Sequence, residues 1–229
     1  MTQRGYAPRS RCYLLGLALV LLPGFLWAQQ STYDQKTVER FAQGTLQKYI
    51  EYLSVETNYA RFDFESVAEA RRARLGNPYA VKYIGLRDLK AFDRDKGLAA
   101  VVRDPKILWF PVLVGSRTKA KLEVLIRDEL TPGAFGAARS VKTIAAISSK
   151  MPSILDKKNL KPDDRPVILR IPALYAEFFH FTSKRKHYLV PAMANPGKYR
   201  LQNGEVYAAE DVLAWLSDYV QKVDENTVM

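Results

Sequence analysis

The stretch from Lys106 to Asp128, KILWFPVLVGSRTKAKLEVLIRD, constrains the fold more than any other. Ile107 to Val114 is continuously apolar, Gly115-Ser116 is a turn signal, and Thr118 to Asp128 alternates. A period of two marks a strand with one buried face. Ala120, Leu122, Val124 and Ile126 face one way, and Lys119, Lys121, Glu123 and Arg127 face the other, with Leu125 the exception. One apolar and one largely wet face predict a mainly antiparallel sheet with helices packed chiefly on one side. Pro111 cannot donate to a ladder, so it belongs at an edge, a bulge or a non-bonded position.

A second hairpin is predicted over 174–193. Val167 to Ile171 is a strong strand, Pro172 interrupts it, and Leu174 to Thr182 resumes. With Lys184 and Arg185 as the two loop residues, Phe181 pairs with Tyr188 and Phe179 with Val190, which gives an aromatic face. His180 and His187 then lie diagonally on the opposite face together with Thr182, while Glu177 points away from them. The segments WFPVLV at Trp109 and YLVPAM at Tyr188 are loosely alike, a hint of duplicated halves.

Helical spacing is read over 34–54, 67–75, 86–92, 140–151 and 208–223. Ser66 and Glu69 have capping-box spacing, and Pro152 is expected to stop the helix that begins at Ser140. Thr131-Pro132-Gly133 reads as a chain break and Gly133 to Gly136 as a loop packed tightly on the sheet. Asp156 to Arg165 is the most polar stretch and the best candidate linker within an otherwise single domain, 29–229. The fold class is therefore α+β.

The first 28 residues stand apart. Arg4, Arg9 and Arg11 precede an apolar run from Tyr13 to Leu22, Pro23-Gly24 breaks it, and Ala28 precedes Gln29-Gln30. Basic, apolar, breaker and small residue in that order is the pattern of a secretory signal peptide; the alternative is an uncleaved anchor. The expected location is the periplasm or the cell exterior, and no later stretch predicts a membrane span. Cys12, the sole cysteine, lies ahead of the apolar run. The remaining chain thus has no disulfide, no thiol nucleophile and no cysteine-bound metal. It also has no Asn-x-Ser/Thr site, and lacking both features it reads as bacterial.

The full chain carries a formal net charge of +11, and setting aside the three arginines of residues 1–28 leaves +8. That charge suits an anionic partner, an acidic protein or an anionic polymer, rather than a specific nucleic-acid site. Two clusters are candidates for binding it: Arg71, Arg72 and Arg74, and Lys184, Arg185 and Lys186 at the second hairpin tip, joined there by His180 and His187. No G-x-S-x-G, HExxH, phosphate loop or dinucleotide fingerprint occurs. No catalytic residue, metal site or cofactor is therefore assigned. The expected function is an exported, non-enzymatic binding or interaction protein of the cell envelope or exterior. Alternatives are a secreted hydrolase using His180 or His187, and a structural subunit of an envelope assembly. Oligomeric state is left open.

Overall fold

The computed structural model describes residues 33–55, 57–136 and 139–227, with the side chains of 139–140 and 223–227 excluded. The signal-peptide pattern and Cys12 lie outside the described residues. Among the described residues nine strands form one sheet: β1 (Arg74–Leu75), β2 (Tyr79–Tyr83), β3 (Arg103–Val114), β4 (Arg117–Ile126), β5 (Leu130–Gly136), β6 (Val167–Ile171), β7 (Ala176–Ser183), β8 (Lys186–Met193) and β9 (Tyr207–Ala208). Their order is β5-β4-β3-β2-β6-β7-β8-β9, with β1 also paired to β3. Two antiparallel meanders, β3-β4-β5 and β6-β7-β8-β9, meet where β2 runs parallel to β6. The sheet is thus continuous across the polar 156–165 stretch.

Among the described residues six α-helices accompany it: α1 (Gln35–Leu53), α2 (Val67–Ala70), α3 (Leu86–Lys90), α4 (Arg139–Lys157), α5 (Pro196–Tyr199) and α6 (Ala209–Thr227). This is the α+β class read from the sequence, with a mainly antiparallel sheet. On one face, α1 buries Val38, Ala42, Leu46, Ile50 and Leu53 against Phe110, Val112, Leu122 and Val124. On the same face, α6 buries Val212, Leu213, Leu216 and Val220 against Leu169, Phe178 and Leu189. The long helix α4 packs on the other face, over Trp109, Ile168, Phe179 and Val190. Among the described residues no helix is long and apolar enough to cross a membrane.

Local chemistry explains most boundaries. Asp34 caps α1 by accepting from the Thr37 N–H at 2.9 Å. Ser66 Oγ accepts from the Glu69 N–H at 3.1 Å, and the Glu69 carboxylate reaches back to accept from the Glu65 N–H at 2.6 Å, one residue beyond the usual reciprocal partner, the Ser66 N–H. That helix is shorter than its spacing predicts. It ends at Ala70, because Arg74-Leu75 leave it to pair with β3.

Two further boundaries differ from the reading above. Residues 131–136 are strand, not loop: they pair with β4, and Gly133 sits so close that a Cβ there would meet Leu125 Cδ1 at 2.6 Å and Glu123 Cβ at 2.9 Å. Glycine and proline suppress the strand signal, yet the close approach requires the glycine. The other is α4, which runs through Pro152 to Lys157. Interior proline costs about 3 kcal/mol, but continuing the helix past it buries Leu155, worth about 1.5–3 kcal/mol, half-buries Ile154 and brings Leu160 onto the same cluster. Packing outweighs the lost backbone bond.

The face of β4 expected to be wet is not wet. Lys119 and Glu123 are buried and Lys121 nearly so. The charges persist there because each is paired. Lys119 Nζ lies 2.9 Å from Glu69 Oε1, and Lys121 Nζ lies 2.7 Å from Glu123 Oε1.

Candidate functional site

The second hairpin has the register expected from its sequence. Phe179 pairs with Val190, Phe181 with Tyr188, and Ser183 with Lys186, which leaves Lys184 and Arg185 as the two turn residues. Both are left-handed, with φ of 51° and 64°. Two positive φ values in a two-residue hairpin define the mirror-image turn that matches strand twist, a position that favours Asn-Gly. Here it is occupied by two cations. The left-handed conformation disfavours an ordinary L-residue by roughly 1–2 kcal/mol.

Asp163 holds this turn. Its own N–H donates to the Thr182 carbonyl at 2.7 Å. Its carboxylate oxygens accept from the N–H groups of Lys184 at 3.3 Å and Arg185 at 3.4 Å. The carboxylate is thus engaged with the backbone, and the side chains of Lys184, Arg185 and Lys186 form no ion pair among the described residues. Beside the turn lies an open concavity of about 420 Å³, lined by Arg185, Lys186, His187, Tyr188, Ala208 and Glu210.

The two histidines come together as the register requires. His180 Nε2 is 3.2 Å from His187 Nδ1, and Thr182 Oγ1 is 3.4 Å from the same nitrogen. Burial, then the neighbouring His187 and Lys82, push the His180 imidazole down to about 4. It is therefore neutral near pH 7. Its Nδ1 is buried without a partner. Among the described residues, neither imidazole has a carboxylate as hydrogen-bond partner, and no three His, Cys, Asp or Glu side chains are placed to hold a metal ion. Glu177 points to the opposite face, as its place in the strand predicts.

The first basic cluster is exposed. Arg71 follows α2, Arg72 continues the turn, and Arg74 begins β1 with its guanidinium donating to the Gly115 carbonyl at 3.1 Å.

Sequence reasoning missed a buried ionic group on the α4 side of the sheet. Arg170 Nη1 donates to Glu123 Oε1 at 2.8 Å and to the Tyr83 hydroxyl at 3.1 Å. Arg170 Nε lies 2.9 Å from Glu177 Oε1, near enough for ion pairing but not aligned as a hydrogen bond. Arg170 Nη2 and Glu177 Oε2 have no partner. With Lys121 the group holds two cations and two carboxylates, so it is balanced. Burial is the largest influence on Glu123 and alone would raise its carboxyl. The hydrogen bonds and charges of Lys121 and Arg170 together outweigh it and hold Glu123 below the ordinary carboxylate value. Burial likewise opposes the Arg170 charge, and Glu177 and Glu123 overcome it. The sequence signal was a lone arginine inside the apolar strand VILRI. Asp163, set in a polar stretch, gave no signal of its role at the turn.

Compared with protein-family models, curated proteins and solved structures, the chain matches none.

Proposed function

We propose that the protein is an exported binding protein that engages an anionic polymer through the 184–186 hairpin tip and the concavity beside it. The observation that carries this reading is the turn itself. Two cations occupy adjacent left-handed positions where asparagine and glycine would be relaxed. Strained backbone of this kind is concentrated at ligand sites, where surrounding contacts hold it in place. Asp163 supplies those contacts through backbone amides and leaves the cationic side chains available.

A polymer is favoured over an acidic protein because a specific protein interface needs an apolar or aromatic centre. The large exposed hydrophobic residues Tyr52, Val55, Leu86, Tyr175 and Trp215 belong to neither basic cluster. Export to the periplasm or exterior is supported by the Arg4 to Ala28 pattern, and mass spectrometry of the secreted protein should find a chain beginning at Gln29. Retention on immobilised heparin, a sulfated polysaccharide, tests the binding. The variant K184Q/R185Q/K186Q should elute at lower salt than the wild type. Equal retention would remove the hairpin from the reading. Capture of an acidic protein that heparin does not compete would replace the polymer with a protein partner.

A second reading, a secreted hydrolase, draws on the Thr182 hydroxyl beside His187 and on a histidine kept neutral. It lacks a carboxylate to orient either imidazole, the role such a group plays in a triad. Loss of a hydrolytic activity in H180A/H187A, with the fold retained, would restore this reading.

A further inference from the structure

The two basic clusters, more than a hundred residues apart in sequence, share one end of the sheet. Ala80 pairs with Leu108, Val81 with Ile168, and Val167 with His180, so these residues mark a row across β3, β2, β6 and β7. From that row β3 runs on to Leu113, which pairs with Arg74, and β7 runs on to the Lys184 turn. Both strands leave the row in the same direction, because β3 and β7 are each antiparallel to the parallel pair β2 and β6. At about 3.3 Å per residue, Arg74 and Lys184 each lie roughly 13–17 Å beyond the row. β1 continues the line of β2, so β6 and then β7 separate it from the turn. Strand spacing and twist put the clusters roughly 10–20 Å apart.

Most acidic residues near this end are engaged; Glu210, which lines the concavity beside the turn, forms no ion pair among the described residues. Glu65 and Glu69 pair with Arg117 and Lys119, Asp63 pairs with Lys142, and Asp163 accepts from the turn amides. Arg71 and Arg72 form no ion pair among the described residues. Between the clusters Arg165 lies over the Tyr79 ring at 5.8 Å.

We infer that Arg71, Arg72 and Arg74 form a second subsite, and that one extended polyanion lies across the sheet end from these arginines to Lys184–Lys186. This rests on the binding reading above and adds to it a length requirement. A chain shorter than the gap reaches only one cluster, whereas a longer one reaches both and gains from the second contact being intramolecular.

Heparin fragments graded by length separate the outcomes, titrated into the wild type, R71Q/R72Q/R74Q and K184Q/R185Q/K186Q. The arginine variant should bind fragments shorter than the gap as the wild type does. It should lose at least about fivefold on fragments that span it, with a shallower salt dependence, because each lost ionic contact releases fewer counterions. The charge-preserving R71K/R72K/R74K should keep the wild-type affinity for long fragments. If R71Q/R72Q/R74Q matches the wild type at every length while the hairpin variant is impaired, the second subsite is wrong and the hairpin reading stands. If the hairpin variant also binds normally, both fall.

Discussion

Replacing Lys184 by Asn and Arg185 by Gly should make the protein more stable while removing two of its tip cations. Both residues hold positive φ, 51° and 64°, and an L-residue there costs roughly 1–2 kcal/mol. Asparagine tolerates the conformation and glycine adopts it freely, which is why Asn-Gly is the preferred pair for this turn. Part of the gain is lost because glycine adds freedom to the unfolded chain, about 0.4–1 kcal/mol. The net expectation is a gain of about 1 kcal/mol. Neither substitution touches the backbone N–H groups that Asp163 accepts from. Urea unfolding should show a higher midpoint with an unchanged slope, and the melting temperature should rise by about 2–4 °C. A loss of stability would show that the cations themselves support the fold. The argument that they are kept for binding would then fail.

Other consequences follow from the buried charges. Arg170→Met leaves Glu123 without its arginine and Glu177 without a counter-charge, and breaking a buried pair in this way costs about 3–5 kcal/mol. Urea unfolding measures it, and adding E177Q to the same chain, which leaves Glu123 paired with Lys121, should recover most of the loss; no recovery would mean that arginine packing matters more than charge. His180 makes stability pH-dependent in a defined window. Its folded value is depressed to about 4 from 6.5, so below pH 6.5 the unfolded chain takes up a proton that the folded chain does not. Stability then falls by about 1.4 kcal/mol per pH unit until the folded histidine also protonates. A His180→Leu variant should lack this component, and identical pH profiles for the two proteins between pH 6.5 and 4 would contradict the burial argument. Glu123, held below its ordinary value, adds stability that is present above about pH 4.5 and is lost as pH falls further. An E123Q chain should show a smaller acid loss below that point.

Much of the fold was legible because periodicity survives in single sequence. The β7–β8 register could be read from the aromatic pairs and a two-residue turn, and it placed His180 beside His187. The helices α1 and α6 were visible from their helical spacing, although the apolar Trp215 of α6 is half exposed beside Tyr207. Tertiary packing hid the rest. Strand β5 was disguised by Pro132 and Gly133, whose local preferences oppose a strand. Pro152 seemed to end α4, because a lost backbone bond is local while the burial that outweighs it is not. The charged side of β4 looked solvated, because alternation reports polarity and not what covers it. Its counter-charges come from Glu69 and from Arg170, which are distant in sequence. The shared end of the two basic clusters depends on strand order, which no local pattern encodes.

The most direct test of the binding reading combines the first prediction with ligand binding. The K184N/R185G chain, carrying K186Q as well, should be at least as stable as the wild type, so any binding defect cannot be blamed on unfolding. Heparin affinity measured across a salt series should be weaker than that of the wild type. Its log–log salt slope should be shallower by about 2–3, for three lost ionic contacts. An unchanged affinity and an unchanged slope in this well-folded variant would contradict the account.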